Sequence, residues 1–402
     1  MLNPFTPGFG RSPAILAGRS AVLADFDAAL RGELPEQRAM LISGARGIGK
    51  TVLLSEFEAR ARDAGWSLLP LHTGSSSLGD ELRATAVARL RELDPDAVAS
   101  HLTGAGASGF SASRSVTDRY AGQDEPLGDL LDRLAALAAR DGHGVMIALD
   151  EVQSVDRAQL HEVSQHIQDL MRRHGQVLLV AAGIRSGVSK LLDHEKTTFL
   201  RRAHRLELSS VDIGTAAEAI RMTVADTERS ITPEAAVRAG EISQGYPYLI
   251  QLAGSKAWRA AGDAPTIELE DVQGTRDAVV AEMIRNVHGP ALRDLSPRKR
   301  DYLEAMLEDE GPSNVGDIAR RLGVDPRYQS TYRERLIEDD LIEPASRGYV
   351  RLSLPYLREA LEERRLGRAA TDLDSGLDRT RTRPVTDIAP SRARSQEARR
   401  SR

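Results

Sequence analysis

Apolar residues fall into two rhythms along the first half of the chain. Short unbroken runs, "RAMLIS", "WSLLPLH", "VMIAL" and "VLLVAAG", have the length of strands buried on both faces. Between them apolar positions recur at helical spacing: Ser20 to Leu30, about Lys50 to Ala64, Gly79 to Leu93, Pro126 to Arg140 and around Arg157–His174. A shorter strand, "HRLELS", follows the arginine-rich turn at Arg201. Strands alternating with helices predict an α/β fold whose parallel sheet is covered on both faces. From Val211 to about Arg285 only helical patterns occur, which predicts a helical lid.

The far end has its own pattern. Ser296 to Leu366 reads as a helix, a helix–turn–helix, a wing and a closing helix. Ala319 and Gly323 stand four apart in "VGDIARRLGVDP", the small residue allowing close helix approach and the glycine the turn. Pro326–Ile337 is the expected recognition helix, and "LIEPASRGYVRLS" alternates around Ser346-Arg347-Gly348 as a two-stranded wing does. The expected organisation is an arm over 1–17, an α/β core over 18–210, a lid over 211–290, a winged helix over 296–366 and a disordered tail over 367–402. That tail carries eight arginines from Arg379 onward against Asp387 and Glu397. "TGAGASGFSASRSVTDRYAGQ", small and polar, is expected to be a mobile insertion.

Composition narrows the function. The 402 residues suffice for two or three domains, and the absence of cysteine excludes disulfides and thiolate chemistry. No apolar run approaches a membrane span and no basic-then-apolar leader is seen, so no membrane partner and a cytoplasmic location are expected. A net charge of −5 argues against a generally basic nucleic-acid coat.

"GARGIGKT" fits the phosphate-loop pattern at Gly44, Gly49, Lys50 and Thr51, with Ala45, Arg46, Gly47 and Ile48 between them. Glycines let backbone N–H groups turn inward around phosphate oxygens, and a helix starting at Lys50 points its positive end there. Lys50 is expected to reach the β- and γ-phosphates of ATP, and Thr51 to offer its hydroxyl oxygen to Mg²⁺. Lysine's rarity sharpens the point, since only five of the 54 basic residues are lysine. At the end of "VMIALDE", Asp150 is expected to hold the metal and Glu151 to polarise the attacking water, a pair favouring ATP hydrolysis over GTP switching. A polar nucleotide sensor is missing from Ala181, Ala182 and Gly183, with Arg185 two residues on as substitute or surface residue. Arg201 and Arg202 precede a strand, where Arg202 is a candidate trans finger acting on a neighbouring subunit.

The order of "AGRSAVLADFDAAL", "GARGIGKT", "VMIALDE", "FLRRAHRLELSSVD" and "SQGYPYLIQLAG" resembles the AAA+ ATPases of the origin-recognition/cell-division-cycle initiator type and their bacterial ATP-binding relatives. The resemblance spans about Ala17 to Leu366. It implies a five-stranded core whose sensing strand lies between the phosphate-loop strand and the Asp-Glu strand. It also implies that Gly18 and Arg19 begin the segment lining the adenine side, with Val22 in the same cofactor-binding set. Gly245 and Pro247 of "GYPYL" match a Gly-x-Pro element in which the proline packs near adenine. Two departures, no polar sensor and no arginine at the lid's sensor position, imply slow hydrolysis and a nucleotide that acts more as a clamp.

Double-stranded DNA is the expected partner. Arg327, Arg333 and Arg335 lie on the recognition helix and Arg347 tips the wing, while Gln329, Ser330 and Thr331 stand where base edges are read. Ser296–Leu352 nevertheless holds ten basic and twelve acidic residues, which leaves protein contact open for the same unit. A signalling switch of the STAND type, or the ATPase of a transposition or defence system, therefore stands beside the DNA-coupled ATPase. Assembly of several copies would bring Arg202 to a neighbour.

Overall fold

The computed structural model describes residues 2–8, 12–72, 77–103, 113–120, 125–193 and 200–366. Its first part runs α1 (Ser20–Leu30), β1 (Ala39–Ser43), α2 (Lys50–Asp63), β2 (Ser67–Leu71), α3 (Leu78–Leu93), β3 (Val98–Thr103), β4 (Ser113–Asp118), α4 (Leu127–Arg140), β5 (Val145–Leu149), α5 (Arg157–Arg173), β6 (Val177–Gly183), α6 (Arg185–Asp193) and β7 (His204–Glu207). Among the described residues, β2-β5-β6-β1-β7 form a five-stranded sheet in that order, every neighbour pair parallel. The sensing strand β6 thus lies between β1 and β5, as the family resemblance implies.

The period of two along β1 decides what each face buries. Met40 and Ile42 point to one side, where α1 and α2 supply Phe26, Leu53 and Phe57. Leu41 points to the other, among Leu82 and Leu90 of α3, Leu131 of α4 and Val163 of α5. The rings of Phe26 and Phe57 stack 4.0 Å apart, fixing α1 on α2. Replacing a fully buried phenylalanine such as Phe57 by alanine costs about 3–5 kcal/mol, enough to loosen the helix that begins at the phosphate loop.

The helical segment that follows comprises α7 (Ile213–Ala225), β8 (Ser230–Ile231), α8 (Pro233–Ser243), α9 (Pro247–Ala260), β9 (Thr266–Ile267), α10 (Leu269–Gln273), α11 (Arg276–Met283) and, after a π-helical turn at Ile284–His288, α12 (Gly289–Arg293). Side chains cap its first two helices. Asp212 accepts from Thr215 N at α7, and Thr232 accepts from Ala235 N ahead of Pro233 at α8. The two-residue strands β8 and β9 pair parallel, a detail that purely helical patterning hides. The N-terminal arm is tied to this segment. Phe5 packs over Gly254 of α9, Asn3 Nδ2 donates to Ser255 Oγ at 2.9 Å, and Thr6 N donates to Gln251 Oε1 at 3.0 Å.

The C-terminal unit contains α13 (Pro297–Met306), β10 (Ser313–Asn314), α14 (Val315–Leu322), α15 (Pro326–Glu338), β11 (Ile342–Ser346), β12 (Tyr349–Leu352) and a helix over 357–366. Its three strands form an antiparallel sheet in the order β10-β12-β11. Asn314 and Asp325 cap α14 and α15, and Gly323 ends α14 in a left-handed turn at φ 62°.

The expected mobile insertion needs correction in part. Residues 113–118 are strand β4, paired antiparallel with β3, while 104–112 and 121–124 lie outside the described residues. Tyr120 anchors the return: it is buried, and its hydroxyl donates to Asp94 Oδ2 at 2.5 Å. The expected tail over 367–402 also lies outside the described residues. Among the described residues no helix is long and apolar enough to cross a membrane.

Candidate nucleotide site

The phosphate loop leaves β1 at Gly44 and becomes α2 at Lys50. Gly47 (φ 73°) and Gly49 (φ 94°) hold left-handed backbone that a side chain would strain. Gly49 is the N-cap and supplies no side-chain acceptor, so the first-turn N–H groups of α2 face the loop without a cap. Lys50 is only 6% exposed. Its Nζ donates to the carbonyls of Gly44 at 3.0 Å and Ala45 at 2.9 Å. Burial pushes its ammonium below the usual lysine range, opposed by Asp340, Glu151 and Asp150. Ile48 is buried in the core and turns the loop inward, while Arg46 is exposed.

At the end of β5, Asp150 uses both oxygens. Oδ2 accepts from Thr51 Oγ1 at 2.7 Å and Oδ1 from Glu151 N at 2.8 Å. A hydroxyl and a carboxylate held together beside open solvent suit Mg²⁺, which takes few protein ligands and keeps much of its water. Glu151 is exposed and left-handed at φ 51°.

Gln153 is a side chain of the candidate site that the sequence did not point to. Gln153 donates from Nε2 to Glu151 Oε2, and its Oε1 accepts from Ile184 N at 3.1 Å. The amide therefore connects Glu151 to the end of β6, where a polar sensor is missing. Gly183 and Gly187 make room for it, since a Cβ on Gly183 would come within 2.7 Å of Gln153 Oε1. The signal was the pair of glycines flanking "IRS", which reads as ordinary turn composition until the opposing amide is seen.

The other wall comes from α1 and the helical segment. Gly18 (φ 66°) leaves space for Val211, 2.7 Å from where a Cβ would sit, and Arg19 Nη2 donates to Ser209 O at 2.9 Å. Val211 N donates to Gly245 O at 2.9 Å. Val22 is half-buried against the same core. Pro247 opens α9, its Cβ 4.0 Å from where a Cβ on Gly49 would be. Tyr246, buried and unforeseen, donates its hydroxyl to the carbonyl of Arg46, and burial holds that phenol well above its usual range.

A second group reaches the loop from the C-terminal unit. Asp340 follows α15, is 5% exposed, and lies within electrostatic reach of Lys50, Arg185 and Arg46. Burial pushes its carboxyl up to about 6 against the pull of those cations. Arg185, offered by the sequence as a substitute sensor or a surface arginine, is held by two carboxylates. It pairs with Glu207 at 2.9 Å and with Glu343 of β11 at 3.0 Å. Ser186 Oγ donates to the carbonyl of Glu338 at 3.1 Å, so the first turn of α6 carries the end of α15.

The remaining candidates lie elsewhere. Arg202 is exposed on the turn before β7, while Arg201 Nε donates to Leu192 O at 2.7 Å. In the C-terminal unit Arg327, Thr331, Arg335 and Arg347 are exposed. Arg333 is half-buried beside Glu334 at 4.0 Å, and the half-buried Ser330 donates to Arg327 O at 2.8 Å. Gln329 is a correction. It is 2% exposed and donates to the Tyr302 hydroxyl at 3.0 Å, a core amide that bridges α15 to α13 and cannot reach a base edge.

A phosphate loop on a parallel sheet of this order, with an Asp-Glu pair on the strand beyond its neighbour, is the construction of a P-loop ATPase of the AAA+ type. Residues 15–180 match the family model of the AAA ATPase domain, and residues 285–360 match a domain of unknown function (DUF8462). Residues 15–180 thus resemble an AAA ATPase domain, and such a domain implies nucleotide binding. The chain is similar in structure to the Walker-type ATPase PABY2304 of Pyrococcus abyssi, at 15% identity and TM-score 0.61, covering 86% of this chain and 96% of that one. It is also similar to the ORC2 protein of Aeropyrum pernix, solved as ADPNP–ADP complexes, at 16% identity and TM-score 0.59 over 90% of this chain and 98% of that one. No curated protein sequence matches the chain.

Proposed function

We propose that the protein is a Mg²⁺-dependent ATPase coupling its nucleotide state to double-stranded DNA through a winged helix formed by 296–366. The observation that carries the coupling is the seating of α15 and β11 on the nucleotide site, through Ser186 to Glu338, Arg185 to Glu343 and the approach of Asp340 to Lys50. Helices α13, α14 and α15, the sheet β10-β12-β11 and the exposed Arg347-Gly348 tip are the parts from which a winged helix is built.

In this reading Lys50 binds the β- and γ-phosphates, and Gly44 to Gly49 wrap them with backbone N–H groups. Thr51 and Asp150 hold Mg²⁺, which supplies positive charge at the transferred phosphoryl group. Glu151 takes a proton from the attacking water, and Gln153 orients that carboxylate. Gly18, Arg19, Val22 and Pro247 border the adenine. Arg202, exposed at the sheet edge, reaches the site of a second copy. Without a polar side chain on β6, turnover is slow and the bound nucleotide acts chiefly on the arrangement of the C-terminal unit.

The contacts to the core use the C-terminal end of α15, which leaves Arg327 and Thr331 at its start, and Arg347, exposed for DNA. Gel-shift titration of duplex DNA at several salt concentrations, with ATP, with ADP and without nucleotide, tests this. Affinity is expected to change with nucleotide and to fall steeply with salt. Undetectable binding in every state sinks the DNA partner. It leaves a STAND-like regulatory switch whose winged helix contacts protein, a reading favoured by the excess of acidic over basic residues in Ser296–Leu352.

A further inference from the structure

We propose that Asp340 is the residue by which this site tells a nucleoside triphosphate from a diphosphate, an inference that rests on the ATPase reading above. Asp340 sits on the turn between α15 and β11, buried and within electrostatic reach of Lys50, Arg46 and Arg185, yet its Oδ2 has no hydrogen-bond partner among the described residues. The backbone around it is well fixed. Its N–H donates to Ile337 O at 3.1 Å, and its carbonyl accepts from Ser353 Oγ. The chain thus delivers a carboxylate to one place and leaves an oxygen of it unsatisfied there. A buried acid in that condition costs stability, and an apolar or amide side chain would cost less.

What it faces explains the arrangement. Lys50 is the cation that a phosphate loop aims at the terminal phosphates. A third phosphate and the Asp340 carboxylate are like charges competing for one ammonium in a site of low polarity, where their repulsion is strong. A diphosphate leaves that place to Asp340. A triphosphate drives the carboxylate out. Glu338 and Glu343 flank it on the same short stretch, so the contacts to Ser186 and Arg185 part with it and the C-terminal unit is released. The differential affinity that moves the unit is therefore located in one side chain.

The test compares the full chain with Asp340→Asn, whose amide keeps the shape and tolerates the φ of 57°. Titrations with ADP and with a non-hydrolysable ATP analogue at pH 7.5 should show wild type favouring ADP. Asp340→Asn should tighten the analogue by roughly tenfold, within the usual range of coupled equilibria, and move ADP less than twofold. Asp340→Glu, which keeps the charge, should retain the wild-type preference. Because the chain has no cysteine, labels on cysteines introduced at the exposed Asp63 and Ser346 report the second readout. The analogue should lengthen that distance in wild type and not in Asp340→Asn, while ADP should lengthen it in neither. An unchanged affinity ratio in Asp340→Asn, or equal distances with ADP and the analogue in wild type, overturns the proposal. DNA enters neither measurement, so a failed gel shift leaves this inference standing. Failure of wild type to bind either nucleotide removes the ATPase reading and this one with it.

Discussion

Two aspartates border the nucleotide site and are built in opposite ways. Asp150 comes from the sheet itself, half-exposed, with one oxygen accepting from Thr51 and the other from its neighbour's N–H. Asp340 arrives from the C-terminal unit, buried, with one oxygen partnerless among the described residues. In the proposed mechanism the difference follows from what each acid has to do. An acid that holds a cation must stay charged, so it keeps water and donors around it. An acid that reports on the site by leaving it is more useful if its stay is costly. The two ends of the molecule therefore meet at Lys50 under different rules, one end stabilised by local hydrogen bonds and the other poised by charge.

Lys50→Ala should break the comparison most severely, because it removes the group both acids answer to. Losing a buried charge-assisted contact to phosphate costs a few kcal/mol, so ADP affinity should fall by about a hundredfold or more. Titration with a fluorescent ADP checks this, and affinity within threefold of wild type would show that the loop does not hold the phosphates. Glu151→Gln acts on one side only. ATP affinity should stay within about threefold while turnover falls by roughly a hundredfold or more, the usual share of a general base. Equal turnover in the two proteins would remove Glu151 from the chemistry. Mixing that variant with Arg202→Ala should restore part of the activity if each site borrows the arginine of a neighbour; no rescue would return Arg202 to the surface.

The same contrast explains what could be read from the sequence. Gly44 to Thr51, Asp150 and Glu151 were legible because each is defined by neighbours within a strand and its following turn. The sheet order came from the family resemblance, since periodicity alone predicts a parallel sheet without its sequence of strands. Gln153, Tyr246 and Asp340 were not legible, because their partners lie 31, 200 and about 290 positions away. Gln329 shows the converse failure. A polar residue near the start of a recognition helix looks like a base reader, but the helix turns that position inward and the Tyr302 hydroxyl satisfies it. Strands β3 and β4 were missed for a different reason. Their residues are mostly small or polar, and Val98, Leu102 and Val116 are too few to make an apolar alternation that stands out.

Acidity should sharpen the comparison with the smallest effect. In the seated arrangement the Asp340 carboxyl is pushed up to about 6 by burial, although Lys50, Arg185 and Arg46 pull it down; Asp339 and the Tyr246 hydroxyl also face it. Released into water it returns to the ordinary aspartate range near 4. The seated form therefore binds more protons between those values, and linkage favours it as pH falls through 6 and disfavours it as pH rises. From pH 7 to pH 5 the ratio of seated to released protein should rise by about tenfold, read as a shorter Asp63–Ser346 label distance without nucleotide. His288 pulls the other way on folding. Burial lowers it to about 4, so the stability it contributes is full above its ordinary range and is lost as pH falls towards 4. Its bond to the Pro355 carbonyl lies within residues 285–360, however, and separation of the C-terminal unit from α6 leaves it intact. Asp340→Asn should flatten the distance profile between pH 5 and 7 while leaving the His288 effect on thermal stability in place. A profile that keeps its slope in Asp340→Asn would assign the acid dependence to another group and return Asp340 to the role of a buried structural residue.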